Sequence, residues 1–247
     1  MNKTAIITGI TGQDGAYLSS LLLDKGYRVI GLTREDIAEN CFGLHYLGVF
    51  NQITLEKCDI LDFTKLEQLI VKYRPDEIYN LAAQSSVGTS FTEPYETINF
   101  NTHSVLNLLE VIKKVNNQTK LYQASSSEMY GNIAELPITE DSIIHPVSPY
   151  AISKVAGHWM VINYRESYGI FGCCGVLFNH ESYLRSNNFF IKKVIRTAIE
   201  INKGKQEELR VGNIDLKRDF GYAPAYVEAM WLMLQQDQPE DYVIATG

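Results

Sequence analysis

Apolar residues form short continuous runs along the chain, alternating with longer segments of helical spacing. Residues 3–8 (KTAIIT) read as a buried strand. Residues 16–25 set Leu18, Leu21 and Leu22 on one stripe of a helix that Gly26 ends. Further strands are predicted over 27–32, 52–58, 77–82, 120–125 and 172–178, with a last one over 242–246. Helices are predicted over 63–73, where Pro75 forbids continuation, and over 97–115, 150–167, 188–203 and 225–235. Residues 131–149 are rich in turn formers and longer than an ordinary connector, which marks a functional loop. No period of about 20–50 residues recurs. Strand–helix alternation of this kind predicts an α/β fold: a Rossmann-like, doubly wound parallel sheet joined by right-handed crossovers, with ligands at the carboxyl ends of its strands.

Composition narrows the class. The chain has 247 residues, 45% apolar and 21% charged, enough to bury a core and too apolar for disorder. At roughly 150 residues per domain it makes one domain and a fraction. Its 22 Lys+Arg against 29 Asp+Glu give a net charge of −7, which argues against non-specific nucleic-acid binding. An anionic small molecule would need local cations. No run approaches the roughly 20 apolar residues that span a bilayer. The start at Met1 lacks a signal-peptide layout, so a cytoplasmic location without a membrane partner is expected. Cys41, Cys58, Cys173 and Cys174 show no metal-ligand spacing and read as reduced core thiols, so no metal site is expected.

Four motifs fall at predicted strand ends. Residues 8–15 (TGITGQDG) hold Gly9, Gly12 and Gly15 between a strand and a helix, the pattern that lets a backbone approach a pyrophosphate at a helix N-terminus. After the second strand, Arg34 would favour the extra phosphate of NADP and the acidic Glu35 and Asp36 the ribose diol of NAD, so the residues leave both open. Asp59 could meet an adenine amino group or merely cap a turn. Residues 80–84 (NLAAQ) are small enough for a cofactor to lie across the sheet edge. Tyr150 and Lys154, at i and i+4, share a helix face, where the ammonium would lower the phenol's pKa toward working pH. The run Ser125–Ser126–Ser127–Glu128 ends the fifth strand; it could be a capping run, or it could bring a carboxylate base near Tyr150.

With glycine loop, Tyr-xxx-Lys and Ser-x-Glu in that order, the chain resembles the extended short-chain dehydrogenase/reductase superfamily. Within it, the chain is most similar to the GDP-mannose 4,6-dehydratase family. The segments that carry this are residues 7–15 (ITGITGQDG), 77–84 (EIYNLAAQ) and 122–131 (YQASSSEMYG). More specific to that family are 148–154 (SPYAISK), 177–182 (LFNHES), 212–219 (GNIDLKRD) and 226–235 (YVEAMWLMLQ).

The resemblance implies a lyase that converts GDP-mannose to GDP-4-keto-6-deoxymannose with an internal hydride transfer from C4 to C6. It implies catalytic roles for Ser126, standing where the family has threonine, and for Glu128, Tyr150 and Lys154. Tyr150 would take the C4-hydroxyl proton, Ser126 would bind O4, Glu128 would remove the C5 proton as water leaves C6, and Lys154 would also hold the nicotinamide ribose. Implied cofactor contacts are Gly9, Thr11, Gly12, Gln13, Asp14, Gly15, Arg34, Asp59, Ile60, Leu81, Ala82, Ala83, Gln84, Ser85, Lys154, His180 and Arg185, for NADP with NAD as the alternative. Implied substrate contacts are Ser86, Asn179, Lys193 and Arg218, beside Ser126, Glu128 and Tyr150. The family also implies a homo-oligomer, dimer or tetramer, with residues 1–178 forming the dinucleotide-binding domain. Residues 179–247 would be part of a substrate lobe, interleaved with the last sheet strand and ending before the family's usual C-terminal portion.

The sequence departs from the family at several places. Glu35 stands for a second arginine, Glu96 for a tyrosine, Tyr183-Leu184 for Pro-Arg, and Phe220 and Tyr222 for tryptophan and histidine. Changes there admit another GDP-sugar, such as a GDP-heptose. A related nucleotide-sugar epimerase or reductase is a second expectation, which a base at Glu128 disfavours. A non-catalytic nucleotide-binding scaffold is a third, and the intact set of four catalytic residues speaks against it.

Overall fold

The protein was analysed as a computed structural model, and the structure describes residues 2–34, 41–133, 136–213 and 215–247. In chain order its elements are β1 (Thr4–Thr8), α1 (Gln13–Asp24), β2 (Arg28–Thr33), α2 (Phe42–Tyr46), β3 (Thr54–Lys57), α3 (Phe63–Tyr73), β4 (Glu77–Asn80), α4 (Val87–Thr92), α5 (Pro94–Val115) and β5 (Lys120–Ser126). There follow α6 (Pro149–Tyr168), β6 (Gly172–Leu177), β7 (Asn179–Glu181), α7 (Phe190–Asn202), β8 (Phe220–Tyr222), α8 (Ala223–Leu234) and β9 (Tyr242–Ile244). Each long predicted element is present to within a few residues. Four short ones, α2, α4, β7 and β8, were not foreseen, because three to six residues are too few to establish a period.

Seven strands form one parallel sheet in the order β3-β2-β1-β4-β5-β6-β9. The chain builds outward from β1 to β3, then returns to place β4 on the other side of β1. That reversal is the switch point at which a doubly wound sheet opens a crevice beyond its carboxyl edge. β7 and β8 make a separate two-stranded pair, Asn179 opposite Phe220.

Both faces of the sheet are covered, which is why its strands read as unbroken apolar runs. Ala5, Ile7, Tyr79 and Tyr122 pack with Leu18 and Leu22 of α1 and with Val227 and Met230 of α8. Ile6, Ile30, Ile78 and Leu121 face the other way, into Leu66 and Ile70 of α3 and Leu108, Leu109 and Ile112 of α5. Side chains of this size, fully buried, each contribute roughly 1.5–3 kcal/mol by leaving water. All four cysteines are buried within these layers, as expected, and none forms a disulfide. No described helix is long and apolar enough to cross a membrane.

Candidate active site

A cleft of about 1650 Å³ runs along the carboxyl edge of the sheet. That exceeds the roughly 300–1,000 Å³ of a site for one drug-sized ligand and leaves room for two large ones. The glycine loop forms one wall. Gly9 has φ of +67°, and a Cβ there would lie 2.8 Å from the Ala82 nitrogen. A Cβ on Gly15 would lie 2.5 Å from both the Gly9 carbonyl oxygen and the Ile10 Cα. The loop therefore presents bare backbone to the cleft, capped by Gly12 at the start of α1, where the first N–H groups of a helix lack partners and favour an anion. Bare backbone of this kind, opening a helix, fits a dinucleotide pyrophosphate.

A relay of buried polar groups holds the neighbouring strand ends level. The Thr8 hydroxyl donates to Asn80 Oδ1 at 2.7 Å and accepts from the Leu81 and Ala82 N–H groups at 3.1 Å. Asn80 Nδ2 donates to Gln123 Oε1 at 2.7 Å, so β1, β4 and β5 are bonded side chain to side chain. The loop after β4 is fixed from above, where Asn101 of α5 accepts from the Gln84 N–H and donates to Ser153 of α6. Gln84's own amide is taken up by Ser86 and Thr97. Asp59 accepts from the Leu61 N–H at 2.9 Å, the turn-capping reading, while still lining the cleft.

The opposite wall carries the hydroxyls and the carboxylate. Ser126 ends β5, and a 3-10 turn over Ser127–Tyr130 then presents Glu128 beside it, the Ser126 oxygen accepting the Glu128 N–H at 3.3 Å. Ser148 caps α6, which carries Tyr150 and Lys154 in its first two turns. All four predicted catalytic residues line the cleft. Burial pushes the Tyr150 phenol up to about 12, with Glu128's charge adding to it and Ser126's hydrogen bond and Arg185's charge working against it. The expected lowering by Lys154 is not present in this state. The ammonium donates instead to the Ala124 carbonyl at 2.9 Å and lies 5.7 Å from the phenol ring centre. Burial brings Lys154 itself down to about 8.

Every other residue expected to touch cofactor also lines this cleft: Gly9, Thr11, Gly12, Gln13, Asp14, Gly15, Arg34, Asp59, Ile60, Leu81, Ala82, Ala83, Gln84, Ser85, His180 and Arg185. Ser86 and Asn179 join them from the substrate set, whereas Lys193 and Arg218 do not. Lys193 borders a separate cavity of about 400 Å³ with Thr197, Lys205 and Arg210, and Arg218 is exposed. Its neighbour Lys192 is the α7 cation that reaches the cleft. Glu35 and Asp36 lie outside the described residues. Arg34 sits over the Phe100 ring at 5.2 Å. Sequence reasoning missed Phe100, Thr89, Phe189 and Lys192 as lining residues; all are on helices or at helix starts with no motif to mark them. Glu96, noted as a departure, does line the cleft.

A parallel Rossmann-like sheet with a glycine loop on one wall and Ser, Tyr and Lys on the other defines an extended short-chain dehydrogenase/reductase. A profile of the family described as GDP-mannose 4,6 dehydratase matches residues 6–247. The chain is 44% identical to the GDP-mannose 4,6-dehydratase of Yersinia enterocolitica over 99% of its own length and 68% of that protein. It is 46% identical to GDP-mannose 4,6 dehydratase 1 of Arabidopsis thaliana, over 99% of this chain and 70% of that one. Among solved structures, RMD from Pseudomonas aeruginosa complexed with NADPH superposes with a TM-score of 0.83 at 26% identity, covering 100% of this chain and 78% of that one. The chain belongs to the GDP-mannose 4,6-dehydratase family.

Proposed function

We propose that this protein is a GDP-mannose 4,6-dehydratase, a hydro-lyase that removes water from a GDP-sugar while a nicotinamide cofactor is used and restored within one turnover. The observation that carries this is the grouping of Ser126, Glu128, Tyr150 and Lys154 on one wall of a two-ligand cleft whose other wall is the glycine loop. The bound nicotinamide would supply a hydride acceptor at C4 and return that hydride at C6. Gly9, Gly12 and the start of α1 would hold its pyrophosphate, and Lys154 its ribose.

Burial keeps the Tyr150 phenol protonated in the free protein, and to act as base it must first release that proton to solvent. Its phenolate would then be held by Lys154 and Arg185, the latter already drawing it down. It accepts the C4-hydroxyl proton while Ser126 fixes O4. Once C4 is a ketone, the C5 proton is acidic, and Glu128 removes it and passes it to the departing C6 hydroxyl; the proton that Tyr150 took would then be delivered to C5, restoring the phenolate. An epimerase or ketoreductase needs no base at C5, so Glu128 favours elimination. Arg34 at the end of β2 supports NADP, with NAD as the alternative, and RMD's NADPH complex is in keeping with that. Residues 1–178 would bind the dinucleotide and 179–247 contribute to a substrate lobe. Another GDP-sugar is the second reading, favoured by Glu96, Tyr183 and Leu184, departures from the family pattern that line the cleft. Reduced, buried cysteines fit a cytoplasmic enzyme, and the family suggests a dimer or tetramer.

The test is incubation with GDP-mannose and NADP, followed by mass. Loss of one water without net cofactor consumption is expected; binding with unchanged mass would reject GDP-mannose as substrate. In Glu128→Gln, reduced cofactor should accumulate without water loss. Normal turnover by that variant would remove Glu128 from its role.

A further inference from the structure

Both ring nitrogens of His180 meet atoms that can only accept. Nδ1 lies 2.7 Å from the Phe178 carbonyl oxygen, and Nε2 lies 2.9 Å from Asp14 Oδ2. A neutral imidazole has one N–H and satisfies one such contact, so the two together require the imidazolium. The glycine-loop side is equally committed. Asp14 Oδ1 accepts from the Gln13 amide at 3.1 Å, the same amide donates to the His180 carbonyl at 3.1 Å, and its oxygen accepts from Ser182 at 2.8 Å. Tyr226 of α8 closes the arrangement from behind, its ring stacked on His180 with centres 4.5 Å apart. The side chains of Gln13 and Asp14, which line the cleft, are thus also bonded to the segment that begins at Asn179.

We propose that Asp14 and His180 are a positioning pair, a charged clasp that holds the glycine loop against β7 and so keeps the dinucleotide wall in register with the wall bearing Asn179. The identity of the ligands rests on the function proposed above; the clasp is a property of the free protein. Losing the proton from His180 leaves one buried acceptor without a donor, which loosens the loop from β7. Burial opposes the charge, but Asp14's carboxylate and the Phe178 carbonyl outweigh it, so the imidazole holds its proton above the usual histidine range. The other charged or titratable groups around the pair are Arg185, which opposes the charge, Glu181 of β7, Tyr122 of β5 and Tyr226 of α8. A raised base is protonated at low pH and loses its contribution as pH rises through its folded value.

The experiment is ¹⁵N NMR of the histidine side chains across pH on the free protein, with NADPH and NADH affinity measured over the same range. His180 should keep both nitrogens protonated to a higher pH in the unaltered protein than in Asp14→Asn. Dinucleotide affinity should fall as His180 deprotonates, and Asp14→Asn should weaken binding about tenfold and move that fall to lower pH. His180→Gln should remove the pH step while leaving weakened binding. A His180 that loses its second proton at or below the ordinary histidine value of about 6.5 in the unaltered protein overturns the clasp, as does an Asp14→Asn variant with unshifted pH dependence. Should Asp14→Asn not fold, the titration of the unaltered protein decides alone. If neither dinucleotide binds a protein whose His180 is doubly protonated, the functional reading fails and the clasp stands.

Discussion

The two walls of the cleft are built differently. On the dinucleotide wall, strand ends are joined by the Thr8–Asn80–Gln123 relay, and the glycine loop lies so close to the next loop that a single added methyl group has no room. On the substrate side, α7 leaves Phe190, Ile195 and Ile199 about half exposed, at 53%, 51% and 46%, and its Lys193 faces away from the cleft. Tight packing places a residue wherever the fold demands, so a motif on the first wall predicts a position. A cation on a loosely packed helix or loop goes where the local surface allows, and a matching motif predicts its presence without its orientation.

The largest effect should come from the reacting wall. Tyr150→Phe is expected to cut turnover by about 10²–10⁴-fold, the usual contribution of a positioned acid–base group, while the thermal midpoint stays near that of the unaltered protein. A matching loss in Lys193→Ala would break the contrast, since it would bring that lysine into the site during turnover. Next comes Gly15→Ala, whose methyl would meet the Gly9 carbonyl oxygen at 2.5 Å. It should cost about 1–3 kcal/mol in urea unfolding, as overpacking does, and weaken NADPH binding with it. An alanine tolerated at no cost would mean that the loop is as yielding as α7.

Lys154→Met should separate function from stability. The folded protein holds Lys154 down to about 8, below its ordinary value near 10.5, so the buried ammonium is a burden at neutral pH. The unfolded chain keeps its proton between those values while the folded one releases it, so this group makes stability rise with pH over that window. The methionine variant should be inactive, yet more stable by about 1–3 kcal/mol at pH 7, with the gain vanishing toward pH 10.5. A destabilised variant at pH 7 would show that the bond to Ala124 outweighs the buried charge. The smallest effect belongs to α7: Ile195→Ser should change stability by no more than about 0.5 kcal/mol, and a loss of several would reveal a packed surface where the structure has an open one.

Much of this was legible in the residues. The strand-helix alternation delivered the parallel sheet because a sheet buried on both faces writes itself as continuous apolar runs. Gly9, Gly15, Tyr150 and Lys154 were legible because each is bound to an element end by sterics or helical spacing. The bonds of Asp14 and Gln13 to His180 and Ser182 were not, since those partners lie more than 160 residues away in sequence, where no spacing rule reaches. The pKa direction at Tyr150 was missed for a similar reason. Helical spacing sets Lys154 on the right face, but the Ala124 carbonyl, on a different element, decides where the ammonium goes.

The position of β9 has a bearing on synthesis. It pairs with β6 at the edge of the sheet, and Asp241 beside it is gripped by Arg165 of α6 and by the Cys174 N–H of β6. Roughly 65 residues separate the end of β6 from that partner. At the usual pace of translation, about 5–20 residues per second, the nascent chain spends from a few seconds to about a dozen with a fully apolar strand at an open edge. During that interval β6 is available to any other extended chain, including a neighbouring copy on the same message. The demand that this places on chaperones is set by the spacing of two strands and not by the stability of the finished protein.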